Sequence, residues 1–161
     1  MPTIRDARPD ELEPLARLWY DAWQDAHAGI LPAELVRIRT LDNLRGRLAD
    51  MLGKVRVAEA EDALLGFALV LDDELYQLFV AARARGKGVA DALIGDAEAR
   101  MRRAGTATAW LDCAIGNARA ARFYEKRGWR HVGEVTSHLP VPGGTFELRV
   151  WRYHKDLREP G

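Results

Sequence analysis

An apolar run, Leu75-Tyr76-Gln77-Leu78-Phe79-Val80, leads within a few residues into Arg83-Ala84-Arg85-Gly86-Lys87-Gly88-Val89-Ala90, and that turn opens a long helical pattern. A strand that enters a helix through a glycine turn constrains a fold strongly, because the sheet it belongs to must hand its strand ends to helices packed on its faces. The same turn is a candidate anion cradle. Small residues let the backbone approach a ligand, successive N–H groups can point at phosphate, and the helix N-terminus adds positive potential. Taken alone, Gly86 and Gly88 fit a tight strand-to-helix turn with no ligand equally well.

The rest of the chain can be placed around that turn. Thr3-Ile4-Arg5 reads as a short strand, after which Pro9 and Asp10 punctuate the start of a helix. Asp10 followed by Glu13 resembles a capping box, and Leu12, Leu15, Trp19, Ala22 and Trp23 recur at helical spacing to about Ala26. Gly29 and Pro32 break the pattern, and residues 34–52 carry a second one, interrupted near Thr40-Leu41-Asp42. From Lys54 the period becomes two: Val55 and Val57 alternate, Glu61-Asp62 turns, residues 64–71 return, and Asp72-Asp73-Glu74 turns into the central strand.

Beyond the glycines, Val89, Leu93, Ala97 and Met101 form a helical stripe, and residues 106–113 alternate again as a strand. Strand, turn, helix and strand make a crossover unit with the cradle at the strand's C-terminal edge. Gly116-Asn117 starts another helix through Arg127, with Ala120, Phe123 and Tyr124 inward. Residues 129–135 read as a strand, 140–144 as a loop, 146–153 as a final strand, and the last residues as a frayed tail. The order βααβββαβαββ predicts an α/β protein with a mixed central sheet flanked by helices on both faces.

A length of 161 residues suits one domain over residues 1–161, and 24 basic against 24 acidic side chains leave no global field to draw in nucleic acid or a membrane surface. Anion binding must then be local, and Arg83, Arg85 and Lys87 are the local cations. The single cysteine, Cys113, precludes an intrachain disulfide and fits a reducing compartment. With no signal-peptide pattern at the N-terminus and no apolar run of spanning length, a cytoplasmic location is expected. His27, His131, His138 and His154 lack metal-ligand spacing, so no metal is assigned.

The cradle is not a Walker loop, and a dinucleotide fingerprint fails because its third glycine position falls on Asp91. A second constellation, Asn117-Ala118-Arg119-Ala120-Ala121-Arg122-Phe123-Tyr124-Glu125-Lys126-Arg127-Gly128-Trp129, starts at the same sheet edge. Asn117 reads as an N-cap and Gly128 as a helix stop. Asn117 and Tyr124, two turns apart, also fall beside the same groove, where a phenol can donate a hydrogen bond or act as a general acid.

Together the two stretches resemble the GNAT acetyltransferase superfamily. Arg85-Gly86-Lys87-Gly88-Val89-Ala90 is similar to its Arg/Gln-x-x-Gly-x-Gly/Ala pyrophosphate loop, and Asn117 through Trp129 to its Asn-x-x-Ala-x-x-Phe-Tyr-x-Lys-x-Gly-Phe/Trp helix. The resemblance implies acetyl-CoA (coenzyme A) as cofactor, with the amides of Arg85, Gly86, Lys87, Gly88, Val89 and Ala90 on the pyrophosphate. It implies that Leu78, Phe79 and Val80 pair with the pantetheine amides as an added strand does, next to a bulge that splays the two central strands. Asn117 would contact pantetheine or pyrophosphate, and Tyr124 would approach the sulfur as the acid.

The implied reaction is direct transfer of an acetyl group to a primary amine, expected to be that of a small molecule. The alternatives are a protein or peptide amine, or an acyl-CoA sensor without turnover. Freeing a lysine-type amine of its proton at pH 7 costs about 4–5 kcal/mol, so a base is expected. Glu74, Asp73 and Glu59 lie near the substrate side of the inferred sheet, and Asp112 is a further candidate. Trp19, Trp23 and His27 could contact the acceptor, and Tyr76 could line the slot; core packing is the other reading of the aromatics. Cys113 falls on an apolar face with no histidine nearby and reads as an inert thiol. Similar proteins commonly form dimers, so a homodimer is compatible with the resemblance.

Overall fold

A computed structural model describes residues 1–158. Seven strands form one sheet in the order β1-β2-β3-β4-β5-β7-β6: β1 Thr3–Asp6, β2 Val55–Ala60, β3 Ala63–Leu71, β4 Glu74–Val80, β5 Thr108–Ala114, β6 Arg130–Val141 and β7 Gly144–Asp156. All neighbours are antiparallel except β4 and β5.

Side-chain alternation along β3 sorts the core into two layers. Phe67 and Leu69 point to one face and meet α1 (Leu12–His27) and α3 (Leu41–Met51) through Leu15, Trp19, Leu44 and Leu48; Ala68 points to the other and meets α4 (Val89–Arg103) through Leu93, Ala97 and Met101. The short α2 (Ala33–Ile38) adds Leu35 to the first layer, and α5 (Ala118–Lys126) adds Ala121 to the second.

The interruption near Thr40 makes two helices of the second helical segment, so the chain order is βαααβββαβαββ. Thr40 caps α3 by accepting the Asn43 N–H at 3.0 Å. The capping box expected at Asp10 and Glu13 lies elsewhere: a 3-10 turn, Pro9–Glu11, precedes α1, and the Glu11 carboxylate accepts the Arg8 N–H at 2.8 Å. The terminal hairpin is longer than expected, because β6 and β7 stay paired to Val141↔Gly144 and the predicted loop at residues 140–144 shrinks to Pro142-Gly143. The start of the expected frayed tail is docked instead. Leu157 is 3% exposed and its N–H bonds to the Ala107 carbonyl at 2.8 Å, while residues 159–161 lie outside the described residues. Among the described residues no helix is long and apolar enough to cross a membrane.

The central irregularity lies between the parallel strands. They pair only at Glu74↔Trp110, and on the other side of β4 the register with β3 slips so that Tyr76 is an extra, bulged residue. Beyond Glu74 the two strands part. The β5-facing backbone groups of Leu78, Phe79 and Val80 have no sheet partner, and a slot opens between the strands. The bulge expected at the strand end thus sits a turn of the pleat earlier, at Tyr76.

Candidate active site

The turn into α4 is built for backbone exposure. Gly86 and Gly88 have φ of 77° and 80°, a left-handed conformation that costs an ordinary residue about 1–2 kcal/mol. A Cβ at either position would meet nothing within 4 Å, so the backbone angle, not space, requires glycine. Gly88 is the N-cap of α4, and its carbonyl accepts the Ala92 N–H at 3.1 Å. The first-turn amides before Ala92 therefore have no intrahelical acceptor.

Arg85 departs from expectation: its own N–H bonds to the Ala82 carbonyl at 3.3 Å, so the exposed amides begin at Gly86. Two of the three local cations have partners of their own. The Arg85 side chain pairs with Asp25 on α1 at 2.5 Å, and Arg83 donates to the Leu64 carbonyl at 2.7 Å. The Arg85 guanidinium holds the Asp25 carboxyl below its ordinary range.

Two cavities meet in the slot. One, about 410 Å³, is lined by Gly86, Gly88, Val89, Ala90, Val80 and Arg119. The other, about 180 Å³, is lined by Trp23, His27, Tyr76, Glu74, Asp112 and Cys113. Leu78, Phe79, Asn117, Ala120 and Tyr124 line both. These are two arms of one passage, joined where β4 and the start of α5 face each other. A larger cavity, about 720 Å³, shares only Ala22 and Arg85 with the first arm and does not reach the slot.

At the junction, the Asn117 side chain caps α5 by accepting the Ala120 N–H at 3.3 Å. The hydroxyl of Tyr124 has no hydrogen-bond partner among the described residues, while its ring packs against Phe123, Trp129 and Tyr153. Burial, reinforced by the neighbouring Cys113, pushes this phenol above its ordinary range and keeps its proton in place.

In the second arm Glu74 is the perturbed carboxyl. Burial and then the charge of Asp112 push it up to about 7, with Arg152 opposing. Of the other acids considered from sequence, Asp73 accepts the Trp110 Nε1 proton at 3.1 Å, and Glu59 is ion-paired to Arg5 at 3.1 Å, on β2 away from the slot. Burial pushes the Cys113 thiol up to about 12, so at neutral pH it carries its proton. Burial pushes His27 down to about 4, so the imidazole is neutral; it lies tilted to Trp23 at 4.9 Å and edge-on to Phe79 at 6.2 Å, and its Nδ1 has no hydrogen-bond partner among the described residues.

Trp19 lines neither arm. It is fully buried, edge-on to Phe67 at 5.9 Å, and belongs to the core. No spacing in the sequence singles out Arg39, Arg47 and Gln77 for the second arm, or Arg119 and Arg127 for the first. Arg127 is drawn there by pairing with Asp91 and by lying over the Phe123 ring at 4.0 Å. Among the described residues no cluster of His, Cys, Asp and Glu could hold a metal ion.

Comparison with known proteins decides the family. Residues 9–129 match the model of the Acetyltransferase (GNAT) family. The chain belongs to the GNAT acetyltransferase family. No curated protein sequence matches it. Several solved GNAT structures share its fold: a GCN5-related N-acetyltransferase from Rhodopseudomonas palustris is 20% identical with a TM-score of 0.78, covering 97% of this chain and 96% of that one. PaiA N-acetyltransferase from Thermoplasma acidophilum, solved in complex with coenzyme A, is 20% identical with a TM-score of 0.69, covering 97% and 99%. YncA from Salmonella typhimurium, solved with its cofactor acetyl-CoA, is 19% identical with a TM-score of 0.71, covering 100% and 96%. Acetyl-CoA is the cofactor of the GNAT family, and in this chain the glycine turn, the unpaired β4 edge and the slot lie along one passage.

Proposed function

We propose that this chain, acting as one domain, transfers the acetyl group of acetyl-CoA directly to the primary amine of a small molecule. The observation that carries the reading is the shared junction at Leu78, Phe79, Asn117, Ala120 and Tyr124, which lets donor and acceptor be held at once. The pyrophosphate lies on the amides of Gly86, Lys87, Gly88, Val89 and Ala90. The pantetheine amides pair with the free edge of Leu78, Phe79 and Val80, and Asn117 faces the same arm.

Glu74 takes the proton of the incoming ammonium. A carboxylate near 7 is a stronger base than an ordinary one, yet it is about half ionised at neutral pH. The freed amine attacks the thioester carbonyl, the carbon–sulfur bond breaks, Tyr124 donates its proton to the departing sulfur, and the second proton that the attacking nitrogen sheds restores the Tyr124 phenol. Trp23, His27 and Tyr76 wall the acceptor. The small second arm, about 180 Å³, lies below the range that encloses a drug-sized ligand, which favours a small acceptor over a folded protein surface.

Acetyl-CoA at concentrations well above micromolar should raise the melting temperature, and amines should then release thiol. A chain that binds acetyl-CoA but releases none with any amine is a sensor, not an enzyme.

A further inference from the structure

Among the described residues, two arginines of the acceptor arm have no counter-charge. Arg39, between α2 and α3, is 2% exposed and donates from Nη1 to the Asn43 Oδ1 at 3.0 Å and from Nη2 to the Pro140 carbonyl at 2.7 Å. Arg47, on α3, donates from Nη2 to the Tyr76 hydroxyl at 2.8 Å and lies 5.0 Å from the centre of the Trp19 ring. All these partners are neutral. Among the described residues neither guanidinium meets a carboxylate, whereas Arg5, Arg45, Arg56, Arg85, Arg127 and Arg152 each do. Burial, followed by repulsion from Arg47, pushes Arg39 down to about 10.

A charge held out of water without an opposite charge is costly, and two like charges on one wall add repulsion. A structural tie between α3 and the β6 tip accounts for the hydrogen bonds of Arg39 but not for a cation there, nor for Arg47 beside it. Both line the arm that holds Glu74 and Asp112, so cations from the α2–α3 segment and carboxylates from β4 and β5 share a small cavity. A ligand carrying both signs satisfies both walls, and planar guanidinium groups match oxyanions in geometry as well as charge.

Building on the acetyl-transfer reading, we propose that Arg39 and Arg47 form an anion subsite, and that the acceptor is a small amine that also bears an oxyanion, a carboxylate or a phosphate. The amine then lies toward Glu74 and the oxyanion toward the two arginines, so the subsite selects amino-acid-like acceptors over plain alkylamines and peptides with blocked carboxyl groups.

The test uses the full-length protein with matched primary amines that end in methyl, carboxamide, carboxylate or phosphonate over a ladder of chain lengths, together with L-α-amino acids and their amides. Thiol release gives kcat and KM, and calorimetry measures acceptor binding to the coenzyme A-loaded protein. The best anionic acceptor should exceed its carboxamide partner in kcat/KM by at least about tenfold, mostly through KM, as expected for charge-assisted hydrogen bonds. The carboxylate and phosphonate arms identify which oxyanion is preferred.

Arg47→Gln, at a half-buried position, should shrink that preference by about tenfold or more, and Arg47→Lys should restore part of it. Arg39→Gln should do the same if it folds; Arg47→Gln decides the matter if it does not. Equal rates for charged and neutral acceptors in the wild type, or equal losses on both in Arg47→Gln, would overturn the subsite. Calorimetric binding of an anionic acceptor that weakens in Arg47→Gln, with no thiol released, would support the subsite and reject acetyl transfer. Absence of both binding and turnover for every anionic acceptor would overturn the subsite.

Discussion

Arg152 on β7 donates two hydrogen bonds to Asp112 on β5, at 2.8 and 3.1 Å, and fixes that carboxylate beside Glu74. The Arg152 guanidinium also lies over the Trp110 ring at 4.1 Å, so the pair is clamped where β4 and β5 last touch. Glu74 therefore ionises in a half-buried position against a fixed negative neighbour, which with burial moves it up to about 7.

The rate profile should report this arrangement. With Glu74 as base, kcat/KM should fall about tenfold per pH unit below an apparent pKa near 7 and level off above it. Asp112→Asn removes the neighbouring negative charge, makes the Glu74 carboxylate easier to form, and should move the acid limb to lower pH. Arg152→Gln should move it the other way, because the favourable cation is lost. A limb unmoved by both changes would assign it to another group.

Glu74→Gln should separate catalysis from stability. Turnover should drop by about 10²–10⁴-fold. The folded-state pKa near 7 exceeds the ordinary 4.5, so the native protein loses stability as pH rises from 4.5 to 7 and bears the full cost above 7. Denaturant melts should find the variant more stable than wild type by about 1–3 kcal/mol at pH 8, with the gap closing near pH 4. A variant less stable at pH 8 would mean that Glu74 is not held against its charge.

Tyr124→Phe keeps the ring contacts with Phe123, Trp129 and Tyr153 and removes only the hydroxyl from a residue that lines both arms. Turnover should fall by about tenfold or more with little change in coenzyme A affinity or melting temperature. Matching losses in rate and affinity would make the hydroxyl a binding group.

The geometry of the first arm was largely legible in the sequence because it is local: Gly86, Gly88 and the first turn of α4 need only a left-handed backbone and a helix start, and Asn117 and Tyr124 follow from helical spacing in α5. The second arm was legible only in part: Trp23, His27, Tyr76, Glu74 and Asp112 were candidates from the sequence, whereas Arg39, Arg47, Leu139 and Leu148 were not. It draws Trp23 and His27 from α1, Arg39 and Arg47 from beside and within α3, Tyr76 from the bulge, and Leu139 and Leu148 from the hairpin. No spacing along the chain encodes that convergence. Glu74 was one acid among several, and only its burial and the Asp112–Arg152 pair distinguish it from Glu59, which Arg5 holds elsewhere. Trp19 and Trp23 share one helical stripe, but a difference in azimuth sends the first into the core and brings the second to the cavity. The length of the β6–β7 hairpin was hidden because Pro140 and the glycines around residue 143 read as a loop, yet pairing continues through Pro140↔Thr145.

In the proposed reaction acetyl-CoA and the amine meet in one slot, and the acetyl group passes between them directly. Initial rates of thiol release, measured with both substrates varied, test it most directly in the wild type and in Cys113→Ala. Direct transfer requires intersecting reciprocal plots for both proteins and a rate in Cys113→Ala within about twofold of wild type, because the thiol is protonated and inert. Parallel plots with loss of activity in Cys113→Ala would demonstrate an acetyl-enzyme and contradict direct transfer.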